Sequence, residues 1–256
     1  MFTGPNIVKN GLVLWLDAAN TKSYPGSGTT WTDMSGNNRN FTLVNGPTYN
    51  SANGGSIVFD GTNDIATLNI ASDNPMKIQN FIFANHTYEV WFNLSTLTPS
   101  LVDNTEVNQA LITWPGYHNG IFIGRSSPTS SVTLTTNFLF NSTLTNAFSV
   151  TTDVTNTLRP NAWFCIHDII NYSATQSLAY INGTNLYVTG SVPTSSMTSA
   201  QGPFPDTINI GGASVTSNYK SLMQNGRIAC VRLYNRALSA SEVQQNYNAT
   251  KARFGL

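Results

Sequence analysis

Charge is what this chain has least of. Asp, Glu, Lys and Arg make up 9% of its 256 residues, against about 25% in an ordinary globular domain. Twelve basic residues balance twelve acidic ones, and neither sign is clustered. Nucleic acid recognition needs basic patches that neutralise phosphates, so that class is set aside. Cysteine is scarce as well. Cys165 and Cys230 are too few for a disulfide framework, and both lie in apolar alternating stretches where buried free thiols are expected. No apolar run approaches the ~20 residues of a membrane-spanning helix. The short run Leu12 to Leu16 lacks the basic flank and cleavage site of a secretion signal, so the expectation is synthesis in a reducing cytoplasm without a membrane partner. Glutamate and histidine are also sparse: Glu89, Glu106 and Glu242, His86, His118 and His167. No H-x-x-x-H metal spacing occurs, and His167 and Asp168, adjacent in a strand pattern, would face opposite ways.

Amides, hydroxyls and turn signals take the vacated places. Asn10-Gly11, Asn45-Gly46-Pro47, Asn53-Gly54, Asp60-Gly61, Asn119-Gly120 and Asn182-Gly183 punctuate short alternating segments, a density that fits strands and not helices. Seven Asn-x-Ser/Thr sequons, Asn40 among them, are what so much Asn, Ser and Thr produces by composition. In Leu12 to Asp17, Leu12, Leu14 and Leu16 alternate with Val13, Trp15 and Asp17, as a central strand would. In His86 to Leu94, Tyr88, Val90 and Phe92 alternate with Glu89, Trp91 and Asn93. Leu97 to Asn108 and Ser191 to Asp206 read as loops. No repeat or internal linker interrupts the pattern, so one domain over residues 1–256 is expected.

The stretch Gly226 to Leu256, GRIACVRLYNRALSASEVQQNYNATKARFGL, closes the chain. Its alternation places Ala229, Val231 and Leu233 on one face of a strand and Cys230, Arg232 and Tyr234 on the other, with one face buried. Ser239 and Glu242 then form a capping box, and Leu238 is placed to staple onto Val243, so a short helix follows.

This closing stretch, together with GLVLWLDA (Gly11 to Ala18), WTDMSGNNRNFTL (Trp31 to Leu43), GGSIVFDGTNDIATL (Gly54 to Leu68), HTYEVWFNL (His86 to Leu94), AYINGTNLY (Ala179 to Tyr187) and INIGG (Ile208 to Gly212), resembles the laminin-G-like, or concanavalin A-like, jelly-roll domains. The resemblance spans nearly the whole chain. It implies an all-β concanavalin A-like sandwich of two antiparallel sheets with a short C-terminal helix, the last strand pairing beside the first. The stand-alone copies it resembles are phage virion proteins, capsid decoration or tail-fibre type. A charge-poor surface rich in amides and hydroxyls suits such a role. The expected location is therefore the virion, and the expected partners are other virion proteins, a host surface glycan and further copies of the chain. A capsid-stabilising decoration protein without ligand is the structural alternative.

A third alternative is glycan cleavage, because glucanases share the jelly-roll. The glucanase branch draws its acids from a Glu-x-Asp-x-x-Glu strand, and retaining hydrolysis needs two carboxylates about 5 Å apart; none of the three glutamates has a second acid at that spacing, so no catalytic residue is assigned. For a sugar, an aromatic ring stacks and amides or carboxylates read the hydroxyls. Glu89, Trp91 and Asn93 on one strand face, or Trp114 and Tyr117 beside His118, supply those groups. For calcium, which wants six to eight oxygens, the loops holding Asp33 and Asn37, and Asp60, Asn63 and Asp64, are the candidates. Ala229 and Cys230 stand where many relatives carry acidic ligands, and the other reading is that Asp33 and Asp60 cap turns. No cofactor is required.

Overall fold

The structure, a computed structural model, describes residues 5–70, 84–97, 109–114, 119–124, 131–139, 147–186, 207–212 and 222–256. Two eight-stranded sheets face each other, and every strand pair is antiparallel. The first holds β1 (Leu12–Asp17), β4 (Thr48–Asn50), β5 (Ser56–Phe59), β7 (His86–Asn93), β12 (Trp163–Asn171), β13 (Gln176–Ile181), β14 (Thr184–Leu186) and β16 (Gly226–Tyr234). The second holds β2 (Thr30–Trp31), β3 (Phe41–Val44), β6 (Ile65–Asn69), β8 (Gln109–Trp114), β9 (Asn119–Gly124), β10 (Thr133–Leu139), β11 (Ala147–Asp153) and β15 (Thr207–Ile210). Between them lies a core to which the first sheet gives Leu14, Leu16, Tyr88, Val90, Phe92 and Ile166. The second gives Phe41, Leu68, Ile112, Ile121, Ile208 and Ile210.

The last strand lies beside the first: Leu14 pairs Leu233 and Leu16 pairs Val231. β1 is an edge strand, however, since among the described residues its ladder partner is β16 alone. Its outer edge is sealed by the loop after Trp31. The Val13 carbonyl accepts from Ser35 Oγ, Asn37 Nδ2 and Arg39 Nη1, the Trp15 carbonyl accepts from the Met34 amide, and the Trp15 amide donates to Asp33 Oδ1 at 2.9 Å. Side chains thus satisfy backbone groups that would otherwise invite another strand.

The alternation read from β16 holds only in part. A bulge between Ile228 and Cys230 inserts Ala229 opposite β7. Ile228, Val231 and Leu233 face the core, whereas Ala229 and Cys230 both join the cluster on the far side of the sheet. One extra residue shifts the phase of a period-two pattern. That far side is buried too, because helix α1 (Ala240–Thr250) lies across it. Ser239 caps α1 through the expected box with Glu242. Val243, Asn246, Tyr247 and Thr250 form its buried stripe, at the i, i+3, i+4, i+7 spacing of one helical face. A 3-10 turn (Lys251–Phe254) follows and inserts Phe254 between tryptophans. Cys165 and Cys230 are buried free thiols on β12 and β16, each in register with Trp91 of the strand between them. Among the described residues no helix is long and apolar enough to cross a membrane.

Candidate functional site

The face of β7 that carries Glu89, Trp91 and Asn93 points out of the sandwich, as alternation requires, but the C-terminal helix covers it. All three are buried. Trp91 stacks on Phe254 at 4.6 Å and on Tyr247 at 5.8 Å between ring centres, so its faces are taken. The Glu89 carboxylate receives Arg232 Nη1, Trp91 Nε1 at 3.0 Å and Asn246 Nδ2 at 3.0 Å, with His167 Nε2 3.5 Å away. Asn246 also donates to Tyr234 Oη and accepts the Val8 amide. These contacts tie the helix and the N-terminal segment to the sheet. Burial would push the Glu89 carboxyl up, yet Arg232 and His167 facing it hold it below the ordinary carboxylate range. The expectation that this face meets a sugar is therefore corrected: its ring and its oxygens are already occupied.

Glu89, Cys165 and His167 bring three metal-ligating atoms within 4.8 Å of one another. The chemistry disfavours a cation there. Arg232, 2% exposed, already supplies the positive charge on the same carboxylate, and burial raises the Cys165 thiol well above its usual range. A second cation would be repelled and a thiolate is withheld.

The calcium candidates divide into two turns. Asp33 Oδ1 accepts from the Trp15 and Ser35 amides, and Oδ2 from Ser35 Oγ and the Arg39 amide. Asn37 donates to Val13 and Ser35. This carboxylate serves the edge of β1. Asp60 Oδ1 accepts from the amides of Thr62, Asn63 and Asp64, and these bonds, Thr62 foremost, lower its pKa. Asp64 Oδ2 accepts from the Asp60 amide, and burial raises its carboxyl. The turn-capping reading accounts for both loops. Trp114 closes β8, and Tyr117 with His118 lies outside the described residues; so does Glu106.

One concavity went unread in the sequence. A cleft of about 340 Å³ opens where β1 passes under the end of α1, walled by Trp15, Asp17, Arg232, Thr250 and Arg253 and by the segment Pro5, Asn6, Ile7 and Lys9. Arg253 pairs with Asp17 at 2.6 Å and reaches the carbonyls of Asn53 and Gly55, which fixes the C-terminal turn as one wall. Lys9 Nζ sits 3.8 Å from the centre of the Trp15 ring and Arg232 Cζ 5.8 Å from it. The single signal that could have found it was Trp15 itself, an aromatic on the outer face of a strand read as central.

With this geometry in place, the chain belongs to the concanavalin A-like lectin/glucanases superfamily, whose profile matches residues 60–244. No curated protein matches the sequence. Among solved structures the fold is similar to the binding domain of botulinum neurotoxin DC in complex with rat synaptotagmin II, at 13% identity and TM-score 0.65 over 95% of this chain and 52% of that one. It is also similar to the botulinum neurotoxin serotype D binding domain, at 14% identity and TM-score 0.64 over 94% of this chain and 52% of that one. A third is a structure from botulinum neurotoxin type C, whose cell entry is dependent upon interaction with two ganglioside molecules, at 13% identity and TM-score 0.66 over 95% of this chain and 52% of that one. The chain spans about half the length of these neighbours, and at such identity the likeness concerns the fold.

Proposed function

We propose that this is a non-catalytic glycan-binding domain that serves as an adhesive module on a virion surface. The observation that carries the reading is the Trp15 cleft. In a fold of the lectin superfamily, it sets an aromatic wall among the amide, hydroxyl and charged groups that sugar recognition uses. Trp114 and Tyr117 stay as a second candidate on the strength of the sequence. The absence of catalysis is supported by how most of the described carboxylates are employed, Glu89 and Asp17 in ion pairs, Asp33, Asp60 and Asp64 in turns, Glu242 in a helix cap, and by the burial of Asp168 inside the sandwich. Hydrolysis would need two such groups facing across an open cleft. Neighbours in fold act as receptor-binding domains, one in complex with a protein and one tied to gangliosides, which fits adhesion. A charge-poor exterior fits work outside a cell.

A glycan screen on the purified chain, run with calcium and with chelator, tests this. Binding that persists in chelator is expected, reduced in a Trp15→Ala variant. Failure to bind any glycan in either condition would transfer the weight to a decoration protein without ligand, to be sought on assembled particles.

A further inference from the structure

Resting on the glycan-binding reading, we infer that the Trp15 cleft selects an anionic pyranose, its acidic group held by Lys9 in the field of the buried Arg232 and its ring laid on Trp15. Three features converge. The positive charge is in excess: Arg253 is matched by Asp17 and Arg232 by Glu89, whereas Lys9 has no ion-pair partner among the described residues. Two N–H groups of cleft-wall residues have no hydrogen-bond partner among the described residues, Arg232 Nε and Trp15 Nε1, both shielded from water. Arg232 is 2% exposed, with its two other nitrogens fixed on Glu89 and Thr250 Oγ1. A buried donor without an acceptor is costly to leave unmade; with both N–H groups closed to solvent, an anionic oxygen in the cleft meets the Lys9 ammonium directly and the Arg232 guanidinium as a charge behind the wall.

The position of Lys9 supplies the selectivity. Its ammonium occupies the ring face on which a sugar would stack. Desolvation there, and then the charge of Arg232, lower its pKa, so the cation is crowded against the ring. A neutral sugar must displace the ammonium from the ring and offers no charge in return for the lost cation–π contact. An acidic sugar draws the same ammonium into an ion pair and clears the ring face in one movement. Pro5, Ile7, Ala19 and Ala249 leave apolar wall for the C–H face of the ring, and a bare inorganic anion would use none of it.

Calorimetric titration at low salt decides, with sialyllactose, trigalacturonate and a sulfated galactoside set against lactose and galactotriose, so that the three acid sources are separated. Acidic sugars are expected to bind roughly tenfold or more tightly than neutral ones, with the margin shrinking as salt rises. Lys9→Gln, on an exposed side chain, should bring the acidic-to-neutral ratio to about one. Ala249→Trp, which fills the cleft, should abolish both without moving the melting temperature. Equal affinity for neutral and acidic sugars in the unaltered chain overturns the inference. So does acidic binding that neither variant changes, which would leave a glycan-binding protein with its site elsewhere. Silence toward every sugar overturns this inference and the glycan reading together.

Discussion

Glu89 and Asp168 sit on neighbouring strands, buried on opposite sides of the first sheet, and their surroundings give them opposite charge states. Glu89 has Arg232 for a counter-ion. Asp168 points into the sandwich, where Thr136 of the second sheet donates to it and Oδ2 has no partner among the described residues. Burial, opposed by the Thr136 bond, pushes its pKa up to about 7 from 3.8. The folded state therefore keeps a proton that the unfolded chain releases near pH 4. Below that pH both states are protonated and no stability is lost. Between pH 4 and 7 the folded state binds more protons, so stability falls as pH rises, and above 7 the loss is complete. At 1.36 kcal/mol per pKa unit the total is on the order of 4 kcal/mol. Asp168→Asn should flatten this slope and raise the urea midpoint at pH 8 above that of the unaltered chain. If both proteins unfold alike at pH 5 and at pH 8, Asp168 is not ionising in the fold. The adjacent pair His167 and Asp168 was rightly separated by alternation; that Asp168 would be the buried, uncharged member was not readable, because it depends on burial beneath the second sheet, whose Thr136 stands thirty-two positions earlier.

At the scale of elements, the C-terminal helix shows what the sequence discloses and what it withholds. Its start is written locally: Ser239 Oγ accepts the Glu242 amide, and Glu242 Oε2 accepts the Ser239 amide at 2.9 Å. The hydrogen bond from Arg236 is the main influence holding the Glu242 carboxyl down at about 2. Local signals also gave the Asn182-Gly183 turn, where both residues have positive φ, and the strand that leads into it. The docking of the helix was not local. Two of the four residues in its buried stripe, Asn246 and Thr250, are polar, so the pattern did not announce a buried face. Alternation in β7 tells which side Trp91 takes and not whether that side is covered. The bulge at Ala229 likewise leaves no mark in a run of small and apolar residues. Ser239→Ala should cost about 1 kcal/mol and lower the melting temperature by roughly 2–4 °C for a chain of this length. Because Tyr247 and Phe254 cover Trp91, tryptophan emission should shift to the red in the same transition. A red shift at lower temperature than the loss of β-sheet signal would show instead that the helix peels off alone.

For the molecule as a whole, the question is whether packing suffices or an ion is built in. A chain of about 250 residues buries on folding roughly three quarters of the surface its unfolded form exposes, and here the core runs the length of both sheets. The loops of Asp33 and Asp60 are closed by protein donors; a calcium ion would have to break those bonds before it gained its own. At 100 times its dissociation constant an ion that binds only the folded state adds about 2.7 kcal/mol, which for this size corresponds to roughly 5–10 °C. The melting temperature in 1 mM calcium and in excess chelator should therefore agree to within about a degree, well inside that span. A shift of the larger size would reopen the loops, and repeating it with Asp60→Asn would assign it. A shift lost in that variant belongs to the turn at Asp60 and Asp64, whereas one that survives belongs elsewhere, with Asp33 and the acids Asp73, Asp103, Glu106 and Asp206, which lie outside the described residues, as the next to substitute.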